Sequence, residues 1–273
     1  MPDAAALIER MAGMARRREP HALATVMETE GSTSARAGDK ALIDGDGTVL
    51  LGWIGGGCAE GEVRQAALDS LRDGKPRLID LDLDDEVLGV GMPCGGMMRV
   101  FVEPVLPPPT LWILGHGRVA ESLCRFGAEL GFRVVVSDTP APEAARYPGA
   151  AEILGDDYDF ARLRPAAGDS VVIATQHKGD HLAAVRALRS PAALVAIVAS
   201  RKRAGLMRRF LREEGIGRDA MARLRAPAGL DLGARSPEEI ALSVIAEIVM
   251  RRRGGSGAPR DADPAPALME ATA

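Results

Sequence analysis

The stretch that decides the fold is Leu111-Trp112-Ile113-Leu114-Gly115-His116-Gly117-Arg118-Val119-Ala120, an apolar run that leads directly into two glycines and a helix. The first four residues predict a short buried strand, and residues 119–130 predict the helix. Residues 133–137 predict a second strand, which ends at Asp138. A strand, a Gly-x-Gly-x-x-Ala turn, a helix, a second strand and an acid, in that order, are typical of a dinucleotide-binding unit.

The chemistry of this turn explains its residue types. Gly115 permits a tight turn, and Gly117 lets the backbone approach a pyrophosphate, which the helix N-terminus then binds through free N–H groups. Asp138 comes about 20 residues after the turn, where a ribose-binding acid is expected. We therefore predict that Gly115, His116, Gly117 and Asp138 contribute to cofactor binding.

The rest of the second half continues the alternation of strands and helices. Strands are predicted at 170–175 and 193–199, and helices at 180–188 and about 201–214. Ser236-Pro237-Glu238-Glu239 is a capping box with proline at the first helical position, and it predicts a last helix that ends near Arg253.

Ligands of such sheets bind beyond the carboxyl ends of the strands. The turn, Asp138, the segment His177, Lys178 and His181, and the segment Ser200–Arg203 are therefore expected on one rim. His177 and His181 are either two ligands on one helical face or part of a solvated loop, with Asp180 predicted as the N-cap.

The first half of the chain follows no such alternation. An opening helix is predicted at 4–18, strands at 21–29, 77–83 and 98–105, and a hairpin around Gly45-Asp46-Gly47. The chain is thus predicted to be α/β, with a mixed α+β N-terminal domain followed by a Rossmann-like doubly wound parallel-sheet domain. Consecutive prolines after Leu106 interrupt both patterns. We predict domains at 1–106 and 111–253, a proline linker at 107–110 and a disordered tail at 254–273.

Composition excludes several classes of protein. The chain has 273 residues, of which 47% are apolar, and its net charge of −4 argues against a nucleic-acid binder. No apolar run reaches the ~20 residues that a membrane helix needs, and the N-terminus lacks the pattern of a secretory signal. Three cysteines do not make a disulfide framework, so a reducing, cytoplasmic location is expected.

Two of the cysteines lie in glycine loops. Cys58 follows Gly55-Gly56-Gly57 and precedes a predicted helix, and Cys94 precedes Gly95 and Gly96. Neither loop has the close-spaced partner that a zinc site needs. The two thiols either flank a soft metal or a sulfur-bearing cofactor, or they are small buried residues in tight turns. Cys124, on a predicted helix, is assigned to core packing.

The glycine loops carry a family resemblance. Gly31-Ser32-Thr33 with Arg36, Gly55-Gly56-Gly57-Cys58 with Glu60, and Cys94-Gly95-Gly96 resemble the XdhC/CoxI family. The turn at 115–120 and the segment at 229–240 resemble the Rossmann domain of the same family, so that the resemblance covers about 24–252. The chain departs from the family pattern at Arg118, where a histidine is common.

The resemblance implies an accessory protein of molybdenum hydroxylases such as xanthine or carbon monoxide dehydrogenase, rather than a turnover enzyme. Such proteins are understood to bind molybdenum cofactor, as molybdopterin or its nucleotide-extended form. They shelter it, assist its sulfuration with a cysteine desulfurase and pass it to the hydroxylase apo subunit. No nucleic acid partner and no membrane insertion are expected, and a homodimer is a further expectation.

The cofactor-binding residues follow from the same motifs. Loop N–H groups of the glycine motifs and Arg36 are expected to bind the cofactor phosphate, and Cys58 and Cys94 are expected to approach the metal or relay sulfur. Glu60 has a second interpretation, as a carboxylate that complements the helix dipole. The predicted set at the glycine loops is Gly31, Ser32, Arg36, Gly56, Gly57, Cys58, Glu60, Cys94, Gly95 and Gly96.

Two other classes of function remain open. An NAD(P)-dependent oxidoreductase would use the Rossmann domain, with His177 as the residue that transfers a proton, but it leaves both cysteine loops unexplained. A binding module that senses a nucleotide and docks a partner would need no chemistry at all.

Overall fold

The structure is a computed structural model that describes residues 4–82, 96–138, 143–155, 157–175 and 179–261. The chain forms two compact units, which divide between Pro107 and Pro108. None of the helices in the described ranges combines the length and the apolar character that crossing a membrane requires.

The first unit is built on an antiparallel sheet of five strands in the order β3-β2-β1-β5-β4. Two helices accompany it. In chain order the elements are α1 (Ala4–Arg17), β1 (His21–Gly31), β2 (Lys40–Asp44), β3 (Val49–Gly52), α2 (Cys58–Asp73), β4 (Arg77–Asp82) and β5 (Gly96–Val105).

The two helices of this unit cover the sheet on opposite faces. Helix α2 presents Val63 and Ala67, one helical turn apart, to the inward side chains of the sheet such as Val100. Helix α1 packs Leu7 and Met14 against Leu42 on the other face. Burial of these apolar stripes gives each helix its tertiary support.

The second unit is a parallel sheet of six strands in the order β11-β10-β9-β6-β7-β8. Numbered within the unit, this is the order 6-5-4-1-2-3 of a dinucleotide-binding Rossmann fold. Its elements are β6 (Thr110–Gly115), α3 (Arg118–Glu129), β7 (Arg133–Ser137), β8 (Ala150–Leu154), β9 (Ser170–Ala174), α4 (Asp180–Arg189), β10 (Leu194–Ile197), α5 (Arg201–Glu213), α6 (Arg218–Ala222), β11 (Leu224–Arg225) and α7 (Pro237–Arg253).

Helices cover both faces of this sheet, as the continuous apolar character of its central strands requires. Every residue of β6 is buried. Helices α3 and α7 share one core, which contains Leu123 and Val244, and α4 and α5 share the other, which contains Leu188 and Leu211. The predicted fold class, a mixed first domain and a doubly wound parallel second domain, is confirmed.

Several local predictions can be compared with these elements. The capping box of Ser236 and Glu239 is present at the start of α7, with Pro237 at the first position. The prediction that Asp180 caps α4 is wrong. Gly179 is the N-cap, and the Asp180 side chain makes tertiary contacts instead, as described below.

Three elements were not predicted, namely β8, α6 and β11. They are short, and only one of the β8 residues is fully buried, so that an apolar period is hard to detect in their sequences. The tail predicted to be disordered falls partly on residues 262–273, which lie outside the described residues.

Candidate functional site

The glycine motifs of the first unit meet at one end of its sheet. Gly31 ends β1 and pairs with Gly96, which starts β5. A Cβ added at Gly96 would lie 2.5 Å from the carbonyl oxygen of Glu30 and 2.9 Å from Cγ2 of Thr33. No side chain fits there, so glycine at this position lets β5 and the loop after β1 lie in direct contact.

The motif at residues 55–57 lies at the same end of the sheet. A Cβ at Gly55 would lie 3.4 Å from Oγ of Ser34 and 3.6 Å from Cε of Met98, on β5. We call this region the glycine-loop edge; it comprises loop 31–39, loop 53–57, the start of α2 and Gly96. Motifs that are far apart in the sequence are therefore neighbours in space.

Loop 31–39 is held by local hydrogen bonds. The hydroxyl of Thr33 donates to the carbonyl oxygen of Ala35 at 2.8 Å, and the backbone N–H of Arg36 donates to Oδ2 of Asp39 at 2.8 Å. Arg36 itself is exposed, and no residue in the described ranges forms an ion pair with its guanidinium. The loop thus presents a cation at the glycine-loop edge.

Helix α2 begins at this edge with an open first turn. Its N-cap, Gly57, has φ +57° and ψ −110°, a backbone conformation that strongly favours glycine. No described side chain caps the helix, and no described atom lies within 4 Å of a Cβ built on Gly57. Glu60 lies in the first turn, as predicted. The first N–H groups of α2 therefore suit an anion.

Several residues of the predicted site lie outside the described part of the structure. Cys58 begins α2, but its side chain, together with Cys94 and Gly95, lies outside the described part of the structure. His177 and Lys178 lie outside it as well. Within the described ranges no cluster of three or more histidine, cysteine, aspartate or glutamate side chains has the arrangement of a metal site.

The glycine turn of the second unit lies where the strand order reverses. Gly115 has φ +128°, and a Cβ there would lie 2.3 Å from the carbonyl oxygen of Ala174 on the neighbouring strand β9. Gly117, with φ +87°, is the N-cap of α3, and no side chain among the described residues caps this helix either. Ligands of Rossmann folds bind at this reversal point.

Asp138, the acid after β7, forms a hydrogen bond within the protein. Asp138 is 6% exposed, and the hydroxyl of Tyr147 donates to its Oδ2 at 2.7 Å. Its Oδ1 lies 3.8 Å from Nδ1 of His116, in the glycine turn. Burial, and then the hydrogen bond to Asp138, raises the pKa of Tyr147 far above its usual range. Tyr147 was not predicted, because nothing in its local sequence indicates that it meets Asp138.

A second buried carboxylate lies at the carboxyl end of β9. Asp180 is 4% exposed, accepts a hydrogen bond from the hydroxyl of Thr175 and forms a 2.7 Å ion pair with Nη2 of Arg203. This pair joins the predicted segments at 177–181 and 200–203. The ring of His181 packs edge-on against Phe210, with ring centroids 5.7 Å apart.

Comparison with known proteins matches both units. The sequence model of the XdhC and CoxI family matches residues 14–82, and that of the XdhC Rossmann domain matches residues 111–248. The second match covers the fingerprint turn, Asp138 and most of α7.

Two curated relatives match part of their own length to this chain. The chain is 34% identical to YqeB of Escherichia coli K12 over 87% of its own length and 44% of that protein. It is 28% identical to a protein of Bacillus subtilis 168 that is named as a probable subunit of xanthine dehydrogenase, over 57% of its length and 46% of that protein. The chain thus spans less than half of either relative.

A third relative matches along most of both chains. The molybdenum cofactor insertion chaperone PaoD of Escherichia coli K12 is 26% identical, over 84% of this chain and 83% of PaoD. A crystal structure described as a xanthine dehydrogenase from Bacillus halodurans has 24% identity and a TM-score of 0.48, over 90% of this chain and 96% of that one. The two matched domains, in this order and over most of the chain, make the protein a member of the XdhC/CoxI family.

Proposed function

We propose that this chain binds molybdenum cofactor, shelters it and delivers it to a molybdenum hydroxylase. The observation that carries the proposal is the glycine-loop edge, where Gly31, Gly96 and the loop before the open start of α2 are neighbours, and where loop 31–39 exposes the cation of Arg36. Two relatives, one named as a cofactor insertion chaperone and one as a probable xanthine dehydrogenase subunit, support the same interpretation.

The residues at this edge fit the chemistry of the cofactor, which is an anionic pterin dithiolene with a phosphate. The first N–H groups of α2 and the guanidinium of Arg36 would hold the phosphate through charge-assisted hydrogen bonds. Glycine at position 57 leaves the backbone open to the ligand. Cys58 begins the helix, and helix N-termini stabilise the thiolate form that binds soft metals.

Delivery of the cofactor includes two steps in this proposal, sulfuration and transfer. A cysteine desulfurase supplies sulfur to the bound cofactor, and the hydroxylase apo subunit then receives it. The cofactor supplies the redox chemistry of hydroxylation once it is in that enzyme, whereas the present chain contributes affinity and shelter. We assign no residue a role in acid–base catalysis, because a carrier needs none. A homodimer remains a prediction.

A second candidate function is nucleotide binding by the second unit. The open start of α3 at Gly117 and the tight turn at Gly115 favour it, since both features serve pyrophosphates in Rossmann folds. The ligand would be either NAD(P) or the nucleotide of an extended molybdenum cofactor.

The proposal is tested by the cofactor content of the purified chain. The protein is produced in cells that make the cofactor and isolated without oxygen, and molybdenum and pterin are then measured per chain. We expect near-stoichiometric amounts of both. Loss of the charge-assisted contact in Arg36→Ala should weaken retention about tenfold.

Arg16→Ala is the matched control, because Arg16 is an exposed cation on α1 rather than at the glycine-loop edge. It should retain the cofactor like the unmodified chain. A chain that carries neither molybdenum nor pterin, or equal retention in both variants, would contradict the assignment.

A further inference from the structure

We propose that Trp53 is the stacking platform for the pterin ring of the cofactor. The inference rests on the proposed function, and it adds to it a specific contact that none of the sequence motifs contains.

Trp53 is the more exposed of the two tryptophans of this chain. Aromatic residues make up only 3% of the sequence, and there are two tryptophans. Trp112 lies in the second unit, is 7% exposed and donates from Nε1 to Oδ2 of Asp169 at 3.3 Å. Trp53 is 49% exposed. A half-exposed indole leaves apolar ring surface available for a ligand, and its position beside the glycine loop gives this surface a use.

The backbone at Trp53 is fixed by the neighbouring strand. Its N–H donates to the carbonyl oxygen of Lys40 at 2.9 Å. A Cβ at the preceding Gly52 would lie 2.0 Å from that same oxygen, so the end of β3 lies very close to the start of β2. The ring is therefore carried by a rigid strand end.

The indole lies against the glycine loop. A Cβ added at Gly56 would be 3.4 Å from Cη2 and 3.8 Å from Cζ2 of Trp53, so the six-membered ring is in van der Waals contact with this position. The next residue, Gly57, has open space at its Cβ position and is the N-cap of α2, which no described side chain caps. An exposed aromatic ring and an uncapped helix start thus lie within one short loop.

This combination selects for a particular kind of ligand. A flat heteroaromatic ring stacks on an aromatic side chain, and an anionic group attached to it reaches the helix start and the guanidinium of Arg36. The pterin and phosphate of molybdenum cofactor have this composition. Stacking on an aromatic side chain contributes to affinity independently of the substituents on the ligand ring. Trp53 would therefore increase the affinity for the cofactor and orient its pterin.

The test compares two substitutions of the same side chain. Trp53→Phe keeps a ring for stacking, and Trp53→Leu keeps apolar surface without a ring. Molybdenum cofactor released from a purified molybdenum hydroxylase is titrated anaerobically into each chain, and bound molybdenum is measured after ultrafiltration. We expect Trp53→Leu to bind about tenfold more weakly and Trp53→Phe to stay within about threefold of the unmodified chain.

Leu78→Ala serves as a control, because Leu78 is also an exposed apolar residue of the first unit and lies on β4. Its affinity should be unchanged. Thermal unfolding of each variant excludes loss of fold as the cause.

Tryptophan fluorescence gives a second readout. Because the chain has two tryptophans, the emission lost in Trp53→Phe belongs to Trp53, and we expect the cofactor to quench this component. If Trp53→Leu binds as tightly as the unmodified chain and Trp53 emission is not quenched, the platform is overturned while the proposed function stands. If the unmodified chain binds no cofactor, both are overturned.

Discussion

The hydroxyl of Tyr147 donates a 2.7 Å hydrogen bond to Oδ2 of Asp138, the acid that follows the second strand of the Rossmann unit. In dinucleotide-binding proteins an acid at this position binds ribose. Here the carboxylate is 6% exposed and has one oxygen engaged, while the other lies 3.8 Å from Nδ1 of His116. Any nucleotide bound here would meet a carboxylate that already has internal partners.

Replacing Tyr147 with phenylalanine should destabilise the second unit. The substitution keeps the ring in the core but removes a donor from a buried carboxylate, which costs about 1–3 kcal/mol. Denaturant unfolding of the two proteins measures the difference. Tyr158→Phe is the control, since Tyr158 is 64% exposed, and it should unfold like the unmodified chain. Equal stability of all three proteins would mean that the contact contributes nothing.

The same residue predicts a dependence of stability on alkaline pH. Burial and the hydrogen bond to Asp138 raise the pKa of Tyr147 above its usual value of about 10, so the folded state retains a proton that the unfolded state loses. This contribution is fully present below pH ~10 and is lost as the pH rises toward the folded pKa. Unfolding free energies measured from pH 9 upward should fall less steeply in Tyr147→Phe. Identical slopes would refute the assignment.

Gly115 should tolerate no side chain. Gly115→Ala would place Cβ 2.3 Å from the carbonyl oxygen of Ala174 at φ +128°, and we expect a loss of about 3 kcal/mol or failure of the second unit to fold. Gly205→Ala is the control. Gly205 lies within α5 with no described atom near its Cβ position, so alanine there should stabilise the chain by about 1 kcal/mol. Thermal unfolding distinguishes the two, and similar effects would contradict the packing described for Gly115.

The ion pair between buried Asp180 and partly exposed Arg203 should contribute to stability. Arg203→Leu would leave Asp180 buried with the Thr175 hydroxyl, and we expect a cost of about 2 kcal/mol, reduced from that of a fully buried pair because Arg203 is partly exposed. Arg201→Leu, at an exposed position two residues earlier on α5, should change stability by less than about 0.5 kcal/mol. Urea unfolding provides the comparison, and equal losses in the two variants would show that the pair is not a stabilising contact.

The two loop cysteines should affect cofactor retention rather than stability. If Cys58 and Cys94 approach the cofactor, serine at either position should lower the molybdenum content of the purified chain while the unfolding temperature changes little. Cys124→Ala is the control, since Cys124 lies on the buried face of α3 and burial raises the pKa of its thiol to about 11. That variant should lose stability and keep the cofactor. A fall in unfolding temperature in the serine variants, with retention unchanged, would favour the packing interpretation of both thiols.

The Rossmann unit could be predicted from the sequence because its signals are local. The turn at Gly115 and Gly117 and the capping box at Ser236 each lie within a few residues, and the structure contains both. The resemblance also identified the family, which the matched domains confirm.

Contacts between distant segments could not be predicted. The pairing of Gly31 with Gly96, which forms the glycine-loop edge, depends on strand order, and no period within either loop encodes it. Tyr147 and Trp53 were missed for a related reason. A single aromatic residue has no periodic pattern, and only the tertiary structure shows that Tyr147 is buried against Asp138 and that Trp53 is exposed beside Gly56.

Asp180 shows the opposite error. Its position at the start of α4 predicted an N-cap, yet its carboxylate binds Arg203 from another helix, and Gly179 takes the cap position. Tertiary ion pairing thus outweighed the local preference of aspartate for helix ends.

The central claim, that the chain is a carrier of molybdenum cofactor, is tested most directly by an anaerobic titration of the purified protein. Molybdenum cofactor, NAD and NADP are titrated in parallel, and binding is measured by calorimetry. We expect tight binding of molybdenum cofactor and weak or no binding of the nicotinamide nucleotides. Tight binding of NAD or NADP without any binding of molybdenum cofactor would contradict it and make the Rossmann unit the working site.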